Sequence, residues 1–217
     1  MAESLYERSY FSRLSEFSDL APEMFKEFMT FNDGVMKHGS LSLKLKELAA
    51  VAVAHVTGCP YCIELHVNNL KEAGGSKEEM SEAILIGTAL KAGSSMAHGV
   101  NALNAYDGIE DEALFKRKYF DRLGEFSKLQ PEMFQSFVDF DGQALRPSTM
   151  SKKEGELIAV AVAHTTGCPY CIELHTKAAN GEGASKEEIA EIIFVATALK
   201  AGSALAHGVN ALNAYDR

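Results

Sequence analysis

The chain has too few basic residues for a protein that binds nucleic acid or an anionic membrane. It contains 21 Lys and Arg against 30 Asp and Glu, for a formal net charge of −9 at pH 7. Attraction to a phosphate backbone or an anionic bilayer depends on clustered cationic side chains, which release counterions when they bind. We therefore expect neither nucleic acid nor membrane as a partner.

Long hydrophobic runs are missing too. The longest apolar stretches, such as residues 157–163, are far shorter than the ~20 residues that a membrane-spanning helix needs. The first ten residues, MAESLYERSY, do not place a basic segment before an apolar one, as a secretory signal would. The sequence therefore predicts no transmembrane helix and a cytoplasmic location.

Cysteine is scarce, and its placement is informative. All four cysteines lie in two CPYC tetrapeptides, at 59–62 and 168–171. A disulfide across two intervening residues cannot join distant segments, so these cysteines are not a stabilising framework. The spacing indicates redox or metal chemistry.

The chain is one unit written twice. Shifting the sequence by 109 residues aligns it with itself without insertions, and 62 of 108 aligned positions are identical. The differences concentrate at 29–46 and 67–75, and His38 is not a site candidate because Pro147 replaces it. The acidic segment DGIEDE at 107–112 suits a surface connection. We predict two homologous domains, 1–108 and 109–217.

Strand-type alternation is absent, and helical spacing takes its place. Apolar residues recur every three or four positions in 5–17 and 24–31, and a capping box at Ser76 and Glu79 begins a long helix. Ser185 and Glu188 repeat that box, and Gly93 either breaks the long helix or packs it closely. The fold class is predicted to be all-α, with two repeats related by a pseudo-twofold axis.

Each repeat contains a glutamate, a cysteine twelve residues later, a second cysteine three further on, and a histidine four beyond that. Gly58 and Pro60 predict that the first cysteine caps a new helix. The second cysteine would then lie one turn in, where the helix dipole favours a thiolate and lowers its pKa. A hairpin at Gly58 would return the glutamate to the cysteines. The candidate catalytic residues are Glu47, Cys59, Cys62, His66, Glu156, Cys168, Cys171 and His175.

These residue types match the requirements of peroxide reduction. A thiolate attacks the O–O bond, a neighbouring acid protonates the departing alkoxide, and a second thiol converts the sulfenic acid to a disulfide. Glutamate and histidine would form the proton relay. Because no third cysteine exists in either repeat, reduction of the disulfide requires an external dithiol.

The order of glutamate, CxxC and histidine resembles the signature of the AhpD-like superfamily, which includes the carboxymuconolactone decarboxylases. The form CPYCIELH resembles its redox-active members, and the likeness covers both repeats. The resemblance implies an AhpD-like helical fold and an alkylhydroperoxidase that reduces organic hydroperoxides, with a thioredoxin-like or lipoyl protein as reductant. It also implies that Cys62 and Cys171 are peroxidatic, that Cys59 and Cys168 are resolving, and that two-repeat chains form homotrimers. Decarboxylases proper lack the cysteine pair.

Other interpretations stay open. The protein could be a disulfide oxidoreductase with little peroxidase activity, or a structural module in which zinc binds Cys59, Cys62, His66 and His55. Possible secondary site residues are His55, Tyr61, His164 and Tyr170. His98 and His207 are interpreted as packing residues, and the aromatic and methionine stripe at 10–31 as core. No cofactor and no bound metal are expected for the redox function.

Overall fold

Residues 4–216 are described in a computed structural model, and within that range the secondary structure is helical without strands. Two 3₁₀ helices, Arg8–Ser15 and Arg117–Arg122, precede the first α-helix of their respective repeats. The five α-helices of the first repeat are α1 (Glu16–Leu20), α2 (Pro22–Val35), α3 (Leu43–Thr57), α4 (Pro60–Glu72) and α5 (Lys77–Tyr106). Those of the second are α6 (Leu123–Leu129), α7 (Pro131–Ala144), α8 (Lys152–Thr166), α9 (Pro169–Gly181) and α10 (Lys186–Tyr215).

Helices α3 and α8 form the centre of the molecule. Every residue from Leu48 to Ala54, and from Leu157 to Ala163, is at most 1% exposed. A helix that is apolar on all sides can only be stable when other helices surround it. Here α3 and α8 pack on each other, and the two long helices α5 and α10 each pack on both of them. The two repeats therefore share one core.

The amino-terminal helices of each repeat cover the other repeat. Helix α2 packs on α10, and α7 packs on α5. Arg13 donates to Asn213 at 2.6 Å and pairs with Asp216, so it joins the first 3₁₀ helix to the end of α10. Arg122 makes the equivalent contacts with the end of α5. Because the amino-terminal helices of each repeat pack on the long helix of the other, neither repeat would bury its apolar surface alone.

Carboxylates on the long helices accept hydrogen bonds from the loops that precede the central helices. Glu82 of α5 accepts hydrogen bonds from the backbone and hydroxyls of Ser148 and Thr149, before α8. Its equivalent, Glu191 of α10, accepts from the Leu41 amide at 2.8 Å and pairs at 2.5 Å with Lys46, whose side chain is 1% exposed. These contacts fix the relative positions of the repeats.

The local predictions are mostly confirmed. The capping boxes before α5 and α10 are formed, and α5 runs unbroken through Gly93. The first stretch differs, since Arg8–Ser15 is a 3₁₀ helix rather than the α-helix expected over 5–17. This 3₁₀ helix packs on α10, and its Phe11 ring stacks on Tyr61 of α4, so tertiary contacts support a winding that is common in short segments.

Within the described part of the chain, one helix, α10, is long and apolar enough to cross a membrane, with a mean hydropathy of 1.6 in its most apolar stretch. Length and composition alone are weak evidence for a membrane span, because core helices meet the same test. Helix α10 packs on α3, α8 and α2.

Candidate active site

The cysteine pairs lie where a tight turn starts a new helix. Gly58 ends α3 with φ 71°, in the left-handed region that glycine adopts without strain, and Pro60 begins α4. The N-cap of α4 is Cys59, as predicted, and the Cys62 amide donates to its sulfur at 3.1 Å. Repeat 2 has the same turn at Gly167. Cys59 and Cys62 are joined as a disulfide, whereas Cys168 and Cys171 are free thiols.

In the reduced pair of repeat 2, the negative charge is favoured on the first cysteine, whereas the lowered pKa was predicted for the second. The pKa of Cys168 is lowered to about 6, because the Cys171 side chain donates a hydrogen bond to it. The Cys171 amide donates as well, at 3.3 Å. The pKa of Cys171 is raised by that same interaction and by burial. The hydrogen bond between the two thiols, together with the Cys171 amide, therefore favours the thiolate on the capping sulfur over the thiolate one turn in.

The hairpin at Gly58 returns the glutamate to the histidine of the same repeat. The Nδ1–H of His66 donates to Glu47 at 2.7 Å, and that of His175 donates to Glu156 at 2.8 Å. Glu47 and His66 are 3% and 7% exposed. Such a bond fixes the tautomer and leaves Nε2 of a neutral ring available to accept a proton. Asn69 also donates to Glu47 in repeat 1, at 3.3 Å.

An apolar cavity opens onto Cys62 and His66. Its volume is about 260 Å³, and Cys59, which is fully buried, does not line it. The walls come from both repeats, because α10 supplies one side. Lining residues are Phe11, Leu14, Phe28, Met29, Asn32, Tyr61, Cys62, Leu65, His66, Ala198, Leu199, Gly202, Leu205 and Ala206.

The long helix of repeat 1 also contacts the cysteine pair of repeat 2. The Ser94 hydroxyl donates to Cys168, and the electrostatic interaction with His98 also helps to lower the pKa of that thiol. The ring centroid of His98 lies 6.0 Å from that of Phe115, and the centroid of Phe115 lies 5.9 Å from that of Tyr170. His98 was expected to be only a packing residue, against another subunit or the other repeat, and its electrostatic effect on Cys168 was not predicted.

The possible secondary residues have structural contacts. The Nδ1–H of His55 donates to the Val51 carbonyl at 2.8 Å, and His164 has the same bond to Val160. The Tyr61 hydroxyl donates to the Glu7 carbonyl at 3.2 Å. Tyr170 donates to the Lys116 carbonyl at 3.3 Å. All four side chains thus use a polar atom to satisfy a carbonyl.

The proposed Cys₂His₂ shell is not assembled. Within residues 4–216, no three His, Cys, Asp or Glu side chains are grouped as metal ligands. The Nδ1 of His55 faces its own helix and that of His66 faces Glu47. The geometry therefore does not favour a zinc module.

Two features of the site were missed in the sequence. The stripe at 10–31 is not fully buried core: Phe11, Phe28 and Met29 line the cavity, and Met24 is 79% exposed. Asp141, on α7, interacts electrostatically with Cys171, His175 and Glu156. Its equivalent in repeat 1 is Asn32, so the internal repeat could have revealed the difference in charge.

Two relatives each align with less than half of this chain. A protein of Paracoccus denitrificans, described as uncharacterized protein 4 in the cox locus, is 43% identical over 94 residues, covering 43% of this chain and 85% of that protein. An uncharacterized protein of Haemophilus influenzae is 40% identical over 92 residues, covering 42% of this chain and 81% of that protein. Each match has about the length of one repeat.

A solved structure matches the whole chain. It comes from Burkholderia xenovorans LB400 and is assigned as a gamma-carboxymuconolactone decarboxylase subunit, with a TM-score of 0.68 and 19% identity over 96% of this chain and 95% of that one. At that identity the likeness shows the fold alone. The carboxymuconolactone decarboxylase family model matches residues 22–105 and again 131–214. The chain belongs to the carboxymuconolactone decarboxylase family, a family that includes enzymes, and carries two copies of its domain.

Proposed function

We propose that this protein is a thiol peroxidase that reduces organic hydroperoxides, with one CxxC site in each of the domains 1–108 and 109–217. The observation that carries the proposal is the apolar cavity that ends at Cys62 beside the Glu47–His66 pair. A cavity of about 260 Å³ accommodates a small organic molecule, and its apolar walls favour a hydrocarbon group over a charged one.

The chemistry assigns different tasks to the two sulfurs. The Cys62 thiolate attacks a peroxide oxygen, so that an S–O bond forms as the O–O bond breaks, and the alkoxide takes a proton and leaves as an alcohol. The Cys59 thiolate then attacks the sulfur of the sulfenic acid. An S–S bond forms, the S–O bond breaks, and the hydroxide leaves as water after protonation. The dithiol supplies the two electrons that reduce the peroxide.

The Glu47–His66 pair serves both proton transfers. In the resting pair, the Cys62 proton must be removed before Cys62 can attack, and the neutral imidazole is its acceptor. The imidazolium then returns that proton to the alkoxide, while Glu47 stabilises the positive ring at 2.7 Å. General acid and base catalysis of this kind typically accelerates a step by ~10²- to 10⁴-fold.

The lowered pKa of the first cysteine favours reduction of the disulfide back to the dithiol. An external dithiol, from a thioredoxin-like or a lipoyl protein, would attack Cys62 because Cys59 is fully buried. The departing sulfur would then be the first cysteine, and a thiol with a lower pKa leaves faster. A pool of reduced dithiols is maintained in the cytoplasm, which is where we place the protein.

Thiol titration tests the proposal. The reduced protein should lose two thiols per repeat on reaction with cumene hydroperoxide, one peroxide being consumed for each pair, and metal analysis of the same sample should find no stoichiometric zinc. Retention of all four thiols would contradict a peroxidase. Thiol loss with a protein disulfide but none with the peroxide would identify a disulfide oxidoreductase instead.

A further inference from the structure

The residues that line the repeat 1 cavity differ from their equivalents in repeat 2 by a single charge. When the fourteen residues lining the repeat 1 cavity are shifted to the equivalent residues of the other repeat, eleven are identical. Two of the three exchanges keep the lining apolar, namely Met29 to Val138 and Leu205 to Met96. The third replaces Asn32 with Asp141, so an amide in one site becomes a carboxyl group in the other.

Asp141 lies among the reacting groups of repeat 2. Helix α7 places it against α5, where its Oδ1 would be 3.6 Å from a Cβ atom on Gly93. The equivalent of that glycine, Gly202, lines the cavity beside Cys62. The titratable groups facing Asp141 are Glu156 on α8, with Cys171 and His175 on α9.

The direction of the effect follows from electrostatics. A carboxylate beside a thiol disfavours the thiolate, and Asp141 contributes to raising the pKa of Cys171. Burial raises the pKa of Asp141 itself, and His175 opposes that rise. Asn32 carries no charge at any pH, so Cys62 experiences no such repulsion.

We propose that the two CxxC sites are unequal, because Asp141 slows attack by Cys171 near neutral pH whereas Asn32 leaves Cys62 reactive. Repeat 1 then performs most peroxide reduction at neutral pH, and repeat 2 gains importance as the pH rises. The consequence for peroxide turnover rests on the proposed function. The unequal thiol reactivity does not.

The test uses proteins with one working site. Cys168→Ser with Cys171→Ser leaves repeat 1, and Cys59→Ser with Cys62→Ser leaves repeat 2. Asn32→Asp is introduced into the first protein and Asp141→Asn into the second. Each reduced protein is alkylated with iodoacetamide between about pH 6 and pH 9, the range in which thiols titrate, and mass spectrometry follows the cavity-facing cysteine. Single-turnover oxidation by cumene hydroperoxide is measured over the same range.

Asp141→Asn should move the alkylation profile of Cys171 to lower pH by about one unit, the lower end of the effect of a neighbouring charge. Oxidation of repeat 2 at pH 7 should then accelerate by up to about tenfold. Asn32→Asp should do the opposite to Cys62. These exchanges are isosteric. Met29→Val in the first protein and Val138→Met in the second are controls that alter the lining without altering its charge, so neither alkylation profile should move along the pH axis.

Alkylation profiles that do not move in either swapped protein would overturn the inference, provided that thermal unfolding shows each variant to be folded. A shift that the apolar controls reproduce would overturn it too, since packing would then be the cause. If neither single-site protein reacts with peroxide, the proposed function fails, while the alkylation profiles still decide whether Asp141 sets the reactivity of Cys171.

Discussion

The two sulfurs of each pair differ in access and in charge. Cys62 lines the cavity, whereas Cys59 is fully buried behind it. The reduced pair in repeat 2 shows that the buried sulfur holds the negative charge more readily, since the pKa of Cys168 is lowered to about 6 by the donor on Cys171. In the proposed reaction, access therefore selects the sulfur that meets the peroxide, and charge selects the one that completes the disulfide.

Serine substitutions should separate these two tasks. Cys62→Ser with Cys171→Ser should abolish peroxide consumption, because a serine hydroxyl does not ionise near neutral pH. Cys59→Ser with Cys168→Ser should permit one turnover per site and then stop, leaving a sulfenic acid that dimedone labels. Peptide mapping of the adduct checks the assignment. An adduct on Cys59 in the first variant would exchange the two roles.

The carboxylates bonded to the two histidines should be needed for rate and not for folding. Glu47→Gln with Glu156→Gln keeps a hydrogen-bond acceptor for each histidine but cannot stabilise an imidazolium. Peroxide reduction should slow by ~10²- to 10⁴-fold. Stopped-flow oxidation measures the rate, and circular dichroism checks that the helices persist. A rate within the error of the unmodified protein would exclude the relay.

At the level of elements, each site is completed by a helix of the other repeat. Helix α10 forms a wall of the repeat 1 cavity, and α5 brings Ser94 to Cys168. Because α5 and α10 also pack on both central helices, a site cannot form in an isolated repeat without exposing α3 or α8. The geometry of the candidate sites and the packing of the core thus depend on the same two helices.

Ser94→Ala should change the titration of a cysteine in the opposite repeat. Loss of its hydroxyl donor should raise the pKa of Cys168 from about 6, so that less thiolate is present at pH 6, while both proteins are ionised at high pH. The ultraviolet absorbance of the thiolate, followed against pH in a protein with Cys59→Ser and Cys62→Ser, measures the midpoint. Ser203→Ala, the equivalent change on α10, should leave that midpoint unchanged. Equal shifts from both serines would contradict a local contact.

The sequence was most informative where local rules determine the structure. Gly58, Pro60 and the capping box at Ser76 define helix ends within a few residues, and the spacing from Glu47 to His66 required only one hairpin. Contacts between repeats could not be derived this way, because nothing local brings Ser94 to Cys168 or places Asp141 beside Cys171. The titration order was missed for a related reason, since it depends mainly on which thiol of the pair accepts the hydrogen bond from the other.

On the scale of the whole molecule, exposed apolar side chains occur in equivalent pairs. Met24 and Met133 are 79% and 72% exposed, and Leu20 and Leu129 are 68% and 62% exposed. Leu20 and Met24 lie where the short helix α1 meets α2, and Leu129 and Met133 lie where α6 meets α7. Helices α2 and α7 each cover the opposite repeat. Apolar residues gathered at matching places on a surface often mark an association site.

We expect this surface to join three chains into a closed ring, the homotrimer that the resemblance to AhpD-like proteins implies. Three chains of 23.6 kDa give about 71 kDa, which light scattering coupled to size exclusion measures directly. Met24→Lys with Met133→Lys should shift the mass toward the monomer, because lysine is costly to bury in an apolar contact without a partner. Single-turnover oxidation should survive in this variant, since the cavity is built within one chain. A monomeric mass for the unmodified protein would reject the trimer, whereas a trimer unaffected by the lysines would place the interface elsewhere.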